Sequence, residues 1–455
     1  MTDLENINAI VADHQQELIE LLCKLIRIPT INTGIMTTGN ELEACHFLAS
    51  LLKSEKIPFE IYPTAPGRAN LVVMLKGKEG HPKMIWLSHL DVVPPGDTQL
   101  WTFPPFAATI SHNTIYGRGA SDCKGLVAAQ VMALILLKRT GVELKGDLTL
   151  IASADEESGG KYGLEWLSKH EPTLLQADLA LNEGGGQPFV FNGHLAYLLG
   201  IGEKGRFETS ISIKGTGGHA ALPWSSRNPS LIMAEVLKRL EKYQPEKSAY
   251  SPVFSRLKNL IDMDYSPPTA DLDQIIKQLA KESPAIEKLL MSMTRLTITP
   301  TVIKSGIKSN VIPDSGSIIC DIRALPHQGP DYINLELSRI LSDLKGVDFN
   351  LECTAESSCS TVEPGFLHLI EASLNTLLSQ ENKKAFCLPS LTVGFTDSRF
   401  LRPFGTRVYN FSPLHPEGNT ARLGAHKINE CMEIDELIFK TRFFLDFALR
   451  FLSNY

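Results

Sequence analysis

The chain has 455 residues, 43% of them hydrophobic and 21% charged, about three times the usual single-domain length and able to bury a sizeable core. A single small module and a disordered chain are both excluded. Lys and Arg total 44 against 51 Asp and Glu, a formal charge of −7 with no clustered basic stripe, so no nucleic-acid partner is expected.

The N-terminal stretch MTDLENINAIVADHQQ has no basic region followed by an apolar one, so neither export nor a membrane anchor is expected and the cytoplasm is the expected compartment. Helical spacing over Leu18–Ile26, ahead of Pro29, and again over Glu41–Leu52 places two helices before the first strands. Asn70–Gly77, Lys83–Val93 and Asp147–Glu157 are short apolar runs, and the last two end in polar, acidic clusters. Between them Gly125–Lys138 reads as a long helix; its apolar run, Leu126–Leu137, is broken by Gln130 and too short to span a bilayer. Buried strands alternating with helices predict an α/β fold with a mainly parallel sheet. In such sheets the ligand site lies off the carboxyl ends of the strands.

From Gly205 the pattern changes. Strands at Phe207–Ile213, Leu296–Ile303, Ser317–Arg323 and Val347–Cys353 and helices at Pro229–Tyr243 and Asp331–Leu344, with a helix-rich stretch running through Pro284, predict an inserted α+β unit. The expected division is residues 1–204 and 357–455 for a discontinuous first domain, and 205–356 for the insert. A helix at Leu367–Ser379, a strand at Arg407–Asn410 and an apolar helix at Ile434–Leu452 complete the first domain. Eight scattered cysteines without a CxxC pair suit reduced thiols better than a disulfide framework or a thiolate zinc site.

The chemistry gathers at the strand ends. His89 and Asp91 in Ser88-His89-Leu90-Asp91 share one face of an extended segment, so Asp91 is a candidate partner for the second ring nitrogen of a metal-bound His89. In Gly117-Arg118-Gly119-Ala120-Ser121-Asp122-Cys123-Lys124-Gly125, Asp122 is either a helix N-cap or a rigid oxygen ligand. Asp155-Glu156-Glu157 follows a buried strand, where three carboxylates repel unless a cation or a raised pKa relieves them. Asn182-Glu183-Gly184 repeats the arrangement. Such ends converging on one sheet edge suit a hard metal or a zinc site of mixed nitrogen and oxygen ligands.

The segments SHLDVVP, WTFPPF, IYGRGASDCKG, ADEESGG, LNEGGG, GTGGHAALP, SNVIPDSGSIICDIRALP, TDSRF and GAHKINE, in this order, resemble the dinuclear-zinc amidohydrolases. These include aminoacylase-1, carboxypeptidase S, carboxypeptidases of the G type, acetylornithine deacetylase and succinyl-diaminopimelate desuccinylase. The resemblance covers nearly the whole chain and implies a zinc-peptidase catalytic domain with an inserted lid and dimerisation domain. It implies two zinc ions, with cobalt or manganese as alternatives, held by His89, Asp122 as bridge, Glu157, Glu183 and His426, with Glu156 as general base; Asp91 joins the catalytic set as the partner of His89. His426 in HKINE fits the last ligand position better than His415 in SPLHPEG, which is expected on a surface loop. His219 is implied to reach the active site of a partner subunit and stabilise an oxyanion, hence a homodimer through the lid. Asn310, Arg323 and Arg399 match segments that would bind a small substrate with a free carboxylate; for Arg323 a salt bridge with Asp321 is an equal alternative. Cys123 replaces a common methionine, Phe395 a usual glycine, and HKINE departs from HGxNE.

The implied activity is metal-dependent hydrolysis of an amide bond in an N-acyl amino acid or short peptide, releasing an amino acid. The alternatives are a dipeptidase or carboxypeptidase of the same family and, from a different class, a non-catalytic binding protein on the same fold.

Overall fold

The computed structural model describes residues 4–191, 193–248, 256, 272–281, 284–381, 383–418 and 424–454. The chain divides into two units. One comprises Met1–Ile201, Ser360–Pro389 and Thr396–Tyr455; the other comprises Gly202–Cys359 and Ser390–Phe395. The short stretch Ser390–Phe395 therefore groups with the second unit, although the expected division placed it in the first domain.

In the first unit the sheet runs in the order Phe59–Ala65, Arg68–Leu75, Asp147–Ser153, Lys83–His89, Leu179–Asn182, Arg407–Asn410, His194–Glu203. Its four central strands are parallel, in register His89 with Ser153, Trp86 with Leu181 and Asn410 with Asn182. The flanking pairs are antiparallel. Because the central strands run one way, His89, Ser153 and Asn182 all end at the same edge, and Asp91, Asp155 to Glu157 and Glu183 follow directly. This is the physical reason that chemistry distant in sequence meets.

Alternation along the strands serves both faces. Met84, Trp86, Leu148 and Leu150 join the larger core with helices Lys124–Thr140 and Ile434–Asn454. Trp86 meets Phe444 edge-on at 5.2 Å between ring centres. Ile85, Leu87 and Ile151 point the other way, to Leu164, Leu167, Leu401 and Val408. Gln130, the polar break in the apolar helix, is buried, accepts from the Ser88 hydroxyl at 2.8 Å and donates to the Leu87 carbonyl.

Among the described residues three helices, not two, precede the strands, because Ile7 and Val11 bury one stripe of an additional helix at Leu4–Asp13. The strands Phe59–Ala65 and Ala385–Thr392 each contain a proline, which weakens the strand signal in sequence.

The second unit is an antiparallel sheet in the order Thr297–Ser305, Ser315–Ala324, Gly205–Lys214, Val347–Ala355. Every second residue of Gly205–Lys214 is buried, and Ile211 and Ile213 pack with Met233, Val236 and Leu240 of helix Pro229–Lys242 and with Ile340 and Leu341 of helix Pro330–Leu341. Much of the helix-rich stretch expected before Pro284 lies outside the described residues; helices Leu272–Leu279 and Pro284–Ser292 are seen. Among the described residues no helix is long and apolar enough to cross a membrane.

Candidate metal centre

His89 ends its strand almost fully buried. Its Nδ1 lies 3.0 Å from the Asp91 carbonyl oxygen and 3.4 Å from Asp91 Oδ1. That anchoring turns Nε2 towards Asp122 Oδ1 at 3.1 Å and Glu183 Oε1 at 3.4 Å, with Glu156 Oε2 at 4.0 Å. Asp91 also accepts from the backbone N–H groups of Glu156 and Glu157, each at 3.1 Å. One carboxylate thus sets the imidazole and the turn that carries two glutamates. Asp155 enters this turn in the left-handed region, φ 65°. Its carboxylate is held by Arg68, at 2.9 Å, and by Asn32, whose amide also donates to Asp91 at 2.8 Å.

Asp122 does not cap the following helix; Cys123 occupies the N-cap position. The Asp122 carboxylate instead faces two histidines, with Oδ1 toward His89 and Oδ2 at 3.2 Å from His426 Nε2. His426 Nε2 is also 3.0 Å from Glu157 Oε1. Its loop is tied to the Asp122 loop by Glu430, which accepts from the N–H groups of Gly119, Ser121 and Asp122 and from Arg118. His415 lies elsewhere, half-buried with Nε2 3.0 Å from Glu381.

The donor set fits divalent cations. Burial, then Glu183, pushes Glu156 well above the ordinary carboxylate range; burial likewise raises Glu183, and Glu157 to about 6. Burial opposes a charge on Asp122, but His426 and His89 outweigh it and lower its pKa. Hydrogen bonds to Asp122 and Glu157 raise His426 to about 10, and Glu183 and Asp122 raise His89 despite its burial. Both shifts mark a cluster of crowded carboxylates that favours added positive charge. A divalent cation between the same atoms keeps the carboxylates ionised and the imidazoles neutral.

Residues 85–450 match the profile of Peptidase family M20/M25/M40. The chain belongs to this family. It is a hydrolytic enzyme of the M20 kind, and the family includes metallopeptidases that bind metal ions. This M20 enzyme is 26% identical over 447 residues to a probable succinyl-diaminopimelate desuccinylase of Staphylococcus aureus, covering 97% of this chain and 98% of the relative. Its fold matches an M20 family metallo-carboxypeptidase of Sulfolobus solfataricus with a TM-score of 0.71 at 19% identity, covering 95% of this chain and 98% of that one. Human carnosine dipeptidase 1 matches with a TM-score of 0.70 at 17% identity, over 99% and 98% of the two chains.

The remaining expected site residues fall in two places. In the first unit of this M20 enzyme, Arg399 donates to the Gly159 carbonyl at 2.8 Å and lies 4.5 Å from the Phe400 ring centre. Asp397, two residues earlier, accepts from Ser153 at 2.7 Å, and burial pushes its pKa to about 7. In the second unit, Gly218 and His219 pair with Ile312 and Val311, and the Ala220 N–H donates to the Asn310 carbonyl. His219 is exposed there, and its Nδ1 accepts from the Ala221 N–H at 3.1 Å. Arg323 donates to Asp321 at 2.7 Å, the salt bridge named as its alternative reading. Sequence reasoning missed Asn32, Arg68 and Glu430. Glu430 lies in the segment GAHKINE, but nothing in its spacing shows that it reaches back to residue 119.

Proposed function

We propose that this chain is a two-metal amidohydrolase that cleaves an N-acyl amino acid or short peptide and releases an amino acid, with zinc as the working metal. The observation that carries the reading is the position of Asp122: each carboxylate oxygen faces a different histidine, one beside Glu183 and the other beside Glu157. In this reading His89 and Glu183 hold one cation, His426 and Glu157 the other, and Asp122 bridges. Two bound cations supply the Lewis acidity that polarises the scissile carbonyl and acidifies water. Asp91 holds the His89 ring with Nε2 facing the site. Glu156, whose carboxylate stands 4.0 Å from His89 Nε2 against 3.1 Å for Asp122 and 3.4 Å for Glu183, takes the water proton and delivers it to the leaving amine. Arg399 clamps the carboxylate of the substrate.

The test is amine release from a panel of N-acetyl, N-succinyl and long-chain N-acyl amino acids and dipeptides, with zinc present. Chelation should abolish turnover, and zinc or cobalt should restore it with two ions bound per chain. Substrates whose carboxylate is blocked as an amide should be cleaved poorly, and Arg399→Ala should remove that discrimination. Full activity in the chelated protein would overturn the reading.

A homodimer through the second unit belongs to the same proposal. The edge strand Thr297–Ser305 and the neighbouring helix Pro229–Lys242 expose Ile303 at 54% and Leu231 at 72%, an apolar surface that a second copy would cover. With Nδ1 of His219 accepting from Ala221, the neutral ring carries its proton on Nε2. That N–H is the donor that an oxyanion in a partner's site requires. Mixed dimers of Glu156→Ala and His219→Ala subunits each contain one intact site under this arrangement. Activity regained on mixing two inactive variants supports it; a monomer in light scattering, or no complementation, removes it.

A further inference from the structure

Cys123 directly follows Asp122 and is 1% exposed. Its sulfur, a ring nitrogen of His89 and a carboxylate oxygen of Glu183 all lie within 4.8 Å of one another. We propose that Cys123 is a sulfur ligand of the cation held by His89 and Glu183, which makes the two metal positions chemically unequal. The inference rests on the two-metal reading above and adds a ligand to one half of it.

The geometry favours this over a packing role. Ligand atoms around one tetrahedral zinc, with bonds of about 2.0–2.3 Å, stand roughly 3–4 Å apart. His89 Nε2 and Glu183 Oε1 already do so at 3.4 Å, and the sulfur lies within 4.8 Å of both residues' ligand atoms. Other buried cysteines have different surroundings: Cys45 donates to the Ala69 carbonyl at 3.5 Å and Cys23 to the Ala108 carbonyl at 3.9 Å. Neither belongs to a group of potential metal ligands among the described residues. On ligation the S–H bond breaks, the sulfur keeps the electron pair for the metal, and the proton leaves to solvent.

Sulfur beside imidazole and carboxylate selects zinc and cadmium over manganese and magnesium. The position of His426 and Glu157, built from nitrogen and oxygen alone, lacks that bias. The enzyme should therefore load unevenly, with the softer metal first on the side of Cys123.

Reconstitution of the full-length enzyme with cobalt(II) tests this, with metal counted by mass spectrometry. The expected result is a near-ultraviolet thiolate-to-cobalt charge-transfer band in the wild type that is lost in Cys123→Ser and Cys123→Ala. Preference for cadmium over manganese should also fall about tenfold or more in these variants. Two bound cobalt ions without the band, or a band that survives in a variant, overturns the thiolate ligand and leaves the two-metal reading standing. Absence of bound cobalt overturns both. Because the band is read first in the wild type, a poorly folding variant does not remove the test, and Cys123→Ser, the closest in shape, provides the second variant.

Discussion

Glu156→Gln should lower turnover by about 10²–10⁴-fold, roughly 3–5 kcal/mol of transition-state stabilisation, with bound metal unchanged. Under the proposed mechanism the two adjacent glutamates would divide the work by geometry. Glu157 Oε1 lies 3.0 Å from His426 Nε2, in a ligand's position, while Glu156 Oε2 stays 4.0 Å from His89 Nε2. Burial, then Glu183, lifts the Glu156 carboxyl well above its ordinary range, the direction that suits a group passing a proton on. Its N–H donates to Asp91 whatever the side chain, so glutamine keeps the turn and the shape and loses only proton transfer. The check is kcat on a cleaved N-acyl amino acid beside metal counted per chain. Turnover near wild type with full metal would take the base role from Glu156; loss of metal together with activity would make it a ligand.

Much of this centre was legible because parallel strands convert sequence order into position. An apolar run ending in His89-Leu90-Asp91, another ending in Asp155-Glu156-Glu157 and a third ending in Asn182-Glu183 must, in one parallel sheet, deliver their polar ends to one edge. The period of two puts His89 and Asp91 on the same side, and the structure shows the ring nitrogen 3.4 Å from that carboxylate. His426 and His415 were separable only through the resemblance. Nothing local in either segment shows that one meets Asp122 while the other meets Glu381.

What escaped the sequence is mostly long-range and polar. Arg68 pairs with both Glu41 and Asp155, and Asn32 bridges Asp155 to Asp91. These residues come from one strand, one helix and three loops with no shared period, so no pattern announces them. Cys123 was visible only as a departure from methionine; which way its sulfur turns depends on the backbone of the Asp122 loop. The antiparallel flanks of the sheet were missed where prolines interrupt the strands.

The stability of that loop leads to the second large effect. Glu430→Ala should destabilise the metal-free protein by about 3–5 kcal/mol and weaken metal retention. Arg118 and Glu430 are both buried, at 2% and 0% exposure. Removing the carboxylate strands a guanidinium away from water. Contacts to the carbonyls of Lys427, at 3.2 Å, and Pro94, at 3.3 Å, and the Trp101 ring 5.3 Å away offset this only in part. The same change strips the acceptor from the N–H groups of Gly119, Ser121 and Asp122, and an unmet buried donor costs about 1–3 kcal/mol. Because Glu430 lies four residues beyond His426 and holds the backbone of Asp122, its loss loosens the bridge and one histidine together. Glu430→Gln keeps an acceptor oxygen but not the charge, so its cost should be smaller. Denaturant unfolding of the chelated variants, with zinc affinity measured separately, checks both parts. A loss below about 1 kcal/mol for alanine, with zinc held as tightly as in the wild type, would show that the loop is built without this carboxylate.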